Sequence, residues 1–334
     1  MISYLGNLSL RLAGGAMRLP EELRRRHATF LSGQQRADGG FAGRQGDSDA
    51  YYTGFALRGL ALLGELAAES ADRAARFLVG LIDRPLPSVD FLSLVYSAVL
   101  LEVTHGLDVF ALAGRDRRTV VETHLRRFLR GDGGYAKTET GPHSSVYHTF
   151  LAVTCRQLVG LPATDDPERL IRLVRSRFRE DGGFVDLAPL PQGGTNPTAA
   201  AVALLTMFDA LDEPTHRATA RFLAGMQNAE GGLRANARIP MADLLSTFTG
   251  LVALTDLKAS QSRFQNPHPP QDRSAVGGQP DSFETASGAI DRPAARRYIA
   301  SLDTPAGGFR AGQWDNAVDV EYTFYGLGVS AIME

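Results

Sequence analysis

The sequence holds a single cysteine, Cys155, and only two lysines, Lys137 and Lys258, among its 35 basic residues. One thiol excludes an internal disulfide and any zinc site built from several thiolates, and it fits a reducing cytoplasmic setting. Charge of neither sign is in excess: the formal net charge is −2, which gives no support to a nucleic-acid partner. No uninterrupted apolar run approaches the eighteen or so residues of a membrane span. The opening stretch MISYLGNLSLRLAGGAMRLP lacks the basic start of a secretion signal. What is present is ordinary for a folded domain, with 44% apolar and 22% charged residues over 334 positions. Length alone would suggest two domains, unless a repeat spreads one architecture over the whole chain.

A repeat is there. A doubled glycine followed by an apolar residue occurs at Asp38-Gly39-Gly40-Phe41, Asp132-Gly133-Gly134-Tyr135 and Asp181-Gly182-Gly183-Phe184, then at Glu230-Gly231-Gly232-Leu233 and Ala306-Gly307-Gly308-Phe309. The first glycines are 94, 49, 49 and 76 residues apart. The first gap is close to two periods, so a copy that has lost its glycines belongs near Asp83-Arg84-Pro85-Leu86-Pro87-Ser88. The last gap is too long, and the Pro-, Ser-, Gly- and Gln-rich stretch 262–290 supplies the excess as an insertion. Six repeats result, following an N-terminal extension over 1–20, in one unit over 21–334.

Each repeat has two helical stretches. The first is amphipathic, as in EELRRRHATFLSGQ and EPTHRATARFLAGMQ, with arginines opposite the apolar face. Glu213-Pro214 and Asp291-Arg292-Pro293 read as helix starts. The second is apolar on most sides, as in YYTGFALRGLALLGEL, FLSLVYSAVLLEV and VEYTFYGLGVSAI. One exposed and one buried helix, repeated six times, predicts an all-α ring, with the buried helices inside. The glycines are expected to end the outer helix in left-handed backbone, with the preceding acid bonded to nearby amides.

The Asp-Gly-Gly-Phe spacing, with Gln35 and Gln227 three residues before the acid–glycine pair, resembles the repeat of protein prenyltransferase β subunits and squalene cyclases. Among these it is most similar to the Rab geranylgeranyltransferase type of β subunit. The segments FLSLVYSAVLLEV, PMADLLSTF and Val318-Asp319-Val320-Glu321-Tyr322-Thr323 resemble that family's second, fifth and last repeats in order. The resemblance implies an α/α toroid around an apolar cavity, an isoprenoid diphosphate as ligand, transfer of a prenyl group and a helical α-subunit-like protein partner. The acidic D-x-D-D-T motif of squalene cyclases is not in the sequence.

The family holds zinc with an aspartate, a cysteine two residues later and a histidine in the last repeat. The first falls on Asp243, but Leu245 and Tyr322 stand at the other two positions. Catalytic zinc takes three protein ligands and an open position, so the usual zinc chemistry is not expected here. The family's diphosphate contacts correspond to Arg234 and Arg238, with Asn196 at a histidine position and His143 as a neighbouring substitute. Aromatics recur at the starts of the buried stretches: Tyr51, Tyr52, Phe55, Phe91, Tyr96, Tyr147, Phe150, Phe248, Tyr322 and Tyr325, with His148 beside them. As a set they suit the lining of an isoprenoid cavity, whose burial stabilises by about 25 cal/mol per Å². Carboxylates also gather there, at Asp47, Asp49, Asp90, Asp243, Asp315, Asp319 and Glu321. Most read as helix caps. Equivalent positions of a ring meet at one end, however, so Asp243, Asp319 and Glu321 are candidates for an acid or for Mg²⁺ ligands. That leaves a cyclase-like enzyme and a non-catalytic lipid- or protein-binding ring as alternatives to transfer.

Overall fold

The computed structural model describes residues 3–261 and 290–334. Apart from Ile290, the insertion expected over 262–290 lies outside them. Among the described residues there are fourteen helices. The first, α1 (Tyr4–Ala16), precedes the repeats. Six outer helices follow in order: α2 (Glu21–Ser32), α4 (Ala68–Val79), α7 (Arg117–Arg126), α9 (Pro167–Arg175), α11 (Glu213–Gly225) and α13 (Arg292–Leu302). They alternate with α3 (Ala50–Leu63), α5 (Ser88–His105), α8 (Val146–Leu158), α10 (Thr195–Met207), α12 (Leu244–Ser260) and α14 (Val320–Met333). A short α6 (Val109–Leu112) sits between α5 and α7. Each inner helix packs on the next, α3 on α5 on α8 on α10 on α12 on α14, and α14 returns to α3. The ring is therefore closed, and the fold is the α/α toroid.

Inner helices are apolar all round because both flanks are buried. Phe91, Leu94, Val95, Ala98 and Leu101 of α5 are all buried. Among the described residues this helix alone, at 18 residues, is long and apolar enough on average to cross a membrane, although Asp90 and Glu102 interrupt its apolar run. Its contacts with α3, α4 and α8 make it a core helix of the ring.

The doubled glycines do not end the outer helices. α2 stops at Ser32, and the turn comes six residues later, between Gln35 and Phe41, which bridge each other. The same bridge recurs as Leu129–Tyr135, Phe178–Phe184, Gln227–Leu233 and Asp303–Phe309. Two turns continue into antiparallel hairpins, β1 (Tyr135–Ala136) with β2 (Ser144–Ser145) and β3 (Phe309–Arg310) with β4 (Val318–Asp319). Positive φ is used as expected, +93° at Gly39 and +96° at Gly231, and Asp38, Asp132 and Asp181 accept the amide two residues on. A second reason for glycine lies between repeats. A Cβ on Gly39 would stand 2.3 Å from the Arg73 carbonyl oxygen of α4, and one on Gly231 2.3 Å from that of Ala294 in α13. Gly307 makes the same approach to Arg26 of α2 and so helps to close the ring. Where the second repeat has lost its glycines, the turn at Ile82–Pro85 stands off α7 across a cleft of about 320 Å³.

A threonine on the first turn of each of five inner helices locks these turns down. The amides of Phe41, Tyr135, Phe184, Leu233 and Phe309 donate to the hydroxyls of Thr53, Thr149, Thr198, Thr247 and Thr323 at 2.8–3.1 Å. All five amides are buried, so each would be costly to leave unpaired.

Candidate active site

The inner helices run in one direction, so their N-terminal caps share one end of the ring. Asp49, Ser145, Asp243 and Asp319 cap α3, α8, α12 and α14 through their side chains. Asp243 gives both oxygens to Ser246, one to its amide at 2.7 Å and one to its hydroxyl at 2.8 Å. Asp319 accepts the Tyr322 amide at 2.9 Å and the Arg44 Nε at 2.8 Å, while Arg44 also holds Asp315 at 2.5 Å. Burial raises the carboxyls of Asp243 and Asp319, and the cap hydrogen bonds pull them back.

Glu321 differs from both. It is 9% exposed, one residue inside α14, and caps nothing. Its Oε1 accepts the Tyr51 hydroxyl at 2.7 Å. Loss of hydration raises its carboxyl to about 7, against the Tyr51 hydrogen bond and with help from the Asp319 charge. The Tyr51 phenol is itself pushed up, by burial first and then by the Glu321 charge.

Around this pair stands a continuous set of aromatic rings. Tyr51 and Phe55 are edge-on to each other, Phe55 meets Phe324 and Tyr325, and both of these meet Phe248. Tyr325 also contacts Tyr322. Tyr147 keeps 36% of its surface exposed, yet burial pushes its phenol up to about 12. Exposed carbon surface around a desolvated hydroxyl is the signature of a side chain facing an enclosed space. After burial, the charges of Arg58 and Glu321 act on this phenol, so α8 stands near both α3 and α14 at this end of the ring.

The far end of that chamber is shut by α1. Tyr4 lies edge-on to Phe150, and its hydroxyl donates to Asp256 at 2.6 Å. Arg11 pairs with the same carboxylate at 2.7 Å. The Tyr4 amide bonds Gln157, the Ser9 hydroxyl bonds that of Tyr96, and Gly15 lies so close to α14 that a Cβ would strike the Ala331 carbonyl. The N-terminal segment is thus the floor of the ring.

The structure redistributes the other sequence candidates. Phe91 is 2% exposed and stacks on His124 of the outer layer at 3.6 Å, beside the cleft of the second repeat, so it does not line the chamber. His148 is buried against the Ser145 hydroxyl, 3.0 Å from Nδ1, and serves the cap region. Tyr52 lies against Gly43 near the mouth. Arg234 is turned back onto the Met226 and Gly225 carbonyls, Arg238 reaches Gln192 at 3.2 Å, and His143 is exposed. Arg234 rests on backbone carbonyls at the end of α11 and Arg238 on Gln192, so among the described residues the three side chains share no common partner. Cys155 is buried, and desolvation raises its thiol far above the ordinary range.

The donors also fail to fit zinc or Mg²⁺ in the family's pattern. Asp243 is committed to Ser246, and Leu245 and Tyr322 occupy the other positions. Among the described residues no three His, Cys, Asp or Glu side chains come together as metal ligands, so Asp243, Asp319 and Glu321 do not converge as a metal group. Sequence reasoning missed Arg44, the floor residues Tyr4 and Ser9, and Arg58. The last had a signal: a lone cation in the apolar run YYTGFALRGLALL, seven residues after Tyr51 and so on the same helix face.

Six helical hairpins closed into a ring around a cluster of packed aromatic side chains define the α/α toroid class of fold. The sequence matches the prenyltransferase alpha-alpha toroid domain over residues 17–92 and 89–334. The chain belongs to that family. Comparison with curated proteins finds no match. Among solved structures, protein geranylgeranyltransferase-I of Candida albicans, complexed with GGPP, is similar at a TM-score of 0.65 and 14% identity, over 91% of this chain and 89% of that one. The type II terpene cyclase MstE of Scytonema is similar at 0.57 and 12%, over 97% and 98%. A protein from Actinoplanes is similar at 0.54 and 17%, over 93% and 98%.

Proposed function

We propose that this toroid binds an isoprenoid in its aromatic chamber and starts its cyclisation by proton transfer from Glu321. The observation that carries this reading is the Tyr51–Glu321 pair: a buried carboxyl raised to about 7 and held by one oxygen. Tyr51 fixes Oε1 and leaves Oε2 to carry the proton. That proton passes to an epoxide oxygen or an alkene carbon of the ligand. The resulting cation is held over the faces of Tyr51, Phe248 and Tyr325, whose electron-rich rings favour positive charge. Attack by a neighbouring alkene closes a ring, and loss of a proton or addition of water ends the sequence. An acid of this strength protonates an oxygen lone pair more readily than an isolated alkene, so an oxygenated isoprenoid is the better substrate class.

Prenyl transfer, the activity the resemblance implies, has less support. The mouth arginines are bonded elsewhere, and Asp243 stands without its two companion ligands. The deciding experiment incubates the protein with farnesyl and geranylgeranyl diphosphate and with a terminal-epoxide isoprenoid, with and without Zn²⁺ or Mg²⁺. Mass spectrometry then identifies the products. Cyclised products that vanish in Glu321→Gln support the reading. Prenyl transfer to a peptide or small acceptor overturns it, as does cyclisation undiminished in the variant.

A further inference from the structure

Arg58 carries a charge among these aromatic rings that the proton-transfer reading does not use. It lies on α3 three residues beyond Phe55 and seven beyond Tyr51, so all three share the inward face, with Arg58 about 10 Å deeper than Tyr51. Its guanidinium carbon stands 4.1 Å from the Phe55 ring centre, 5.0 Å from that of Phe324 and 5.2 Å from that of Tyr96. Its Nε donates to the Gly54 carbonyl at 2.8 Å. Among the described residues it makes no ion pair, whereas Arg44, Arg117 and Arg156 each reach a carboxylate. Stacking occupies the faces of the guanidinium, and among the described residues the N–H groups of both terminal nitrogens have no acceptor.

The surroundings say which way those donors look. The guanidinium stands over rings of three inner helices, Phe55 of α3, Tyr96 of α5 and Phe324 of α14, and Phe55 in turn meets Tyr51, which holds the acid. Beneath it, Tyr96 is tied to Ser9 of α1, and the buried carboxylate of Asp256 is already held by Tyr4 and Arg11. A cation kept in an aromatic box at the closed end of an apolar chamber calls for an anion brought by the ligand.

We infer that Arg58 is the seat of an anionic head group, a carboxylate or a phosphate, on an isoprenoid that enters head first. The planar fork suits two acceptor oxygens of one group. The hydrocarbon chain then runs from the floor toward the mouth and passes Glu321 with a segment remote from the head. This deepens the proposed function and rests on it for the isoprenoid, but not for the anion.

Calorimetry on the full chain uses geranylgeranoic acid, geranylgeranyl monophosphate, the neutral alcohol geranylgeraniol, and benzoate as a head without a chain. The wild type should bind the acid or the monophosphate at least about tenfold more tightly than the alcohol, and which of the two wins names the head. Arg58→Gln should bring both down to the affinity that the same variant shows for the alcohol, with circular dichroism and the melting temperature as the control for folding. Arg58→Lys should restore part of the preference. Equal binding of charged and neutral ligands by the wild type, or a preference that survives in Arg58→Gln, overturns the anion seat and leaves the isoprenoid reading standing. Benzoate binding by the wild type and not by Arg58→Gln, with no isoprenoid bound, keeps the seat and overturns the isoprenoid reading. Binding of none of the four overturns both.

Discussion

The Tyr51 hydroxyl lies 2.7 Å from the Glu321 carboxylate, across the seam where the last repeat meets the first. The two residues are 270 positions apart and meet only because α14 packs on α3. The bond therefore reports ring closure and positions the acid at once. Glu321→Gln keeps the shape and can still accept from Tyr51, so the variant should fold while product formation falls by at least about a hundredfold. Tyr51→Phe should cost less, since the acid remains and only its orientation loosens. Product yield per hour, with circular dichroism as the folding control, checks both.

The raised carboxyl sets a pH dependence with a definite sign. In the unfolded chain Glu321 titrates near its ordinary value of 4.5, and in the folded ring near 7. Below 4.5 both states hold the proton and the contribution to stability is complete. As pH rises toward 7 the unfolded chain gives up its proton while the folded one retains it, and stability declines by roughly 3 kcal/mol. Above 7 the decline stops. Urea titrations at pH 5 and pH 8 should show this difference in the wild type and a smaller one in Glu321→Gln. Turnover, which needs the protonated form, should fall above about pH 7.

The glycine turns separate conformational cost from crowding. Gly46 has a φ of +90° and open space where a Cβ would go, whereas Gly231 has a φ of +96° and the Ala294 carbonyl at 2.3 Å. Gly46→Ala should destabilise by about 1–2 kcal/mol, the penalty of left-handed backbone alone. Gly231→Ala should add roughly 1–3 kcal/mol for the clash with α13. Equal melting temperatures for the two variants would contradict the close approach.

The threonine clamp gives a third stability test. Thr247→Val removes the acceptor from the buried Leu233 amide and should cost about 1–3 kcal/mol, while Thr247→Ser, which keeps the hydroxyl, should cost less than half of that.

The floor can be tested in the same way. Asp256→Ala strips both Tyr4 and Arg11 of their partner, and about 1.5–3 kcal/mol should be lost. Limited proteolysis should then cut within α1 before it cuts within the ring. Cleavage elsewhere first would show that α1 does not depend on Asp256.

The sequence by itself determined the ring. Glycine pairs at a near-constant interval, apolar runs alternating with amphipathic ones and aspartates at helix starts are all local features, and a local rule repeated six times closes on itself when its two ends are complementary. Even the caps at Asp243 and Asp319 were legible, because a cap bonds amides only two or three residues away. Tertiary structure decided which caps are only caps. Asp319 and Glu321 sit two residues apart in one motif, yet one is tied to Arg44 and the other is desolvated against Tyr51, and those partners come from the opposite end of the chain. It also decided that Phe91 turns outward to His124, that Arg234 folds back on its own turn, and that α1 seals the chamber. Burial and long-range pairing set the chemistry of a side chain, and neither is carried by the residues beside it.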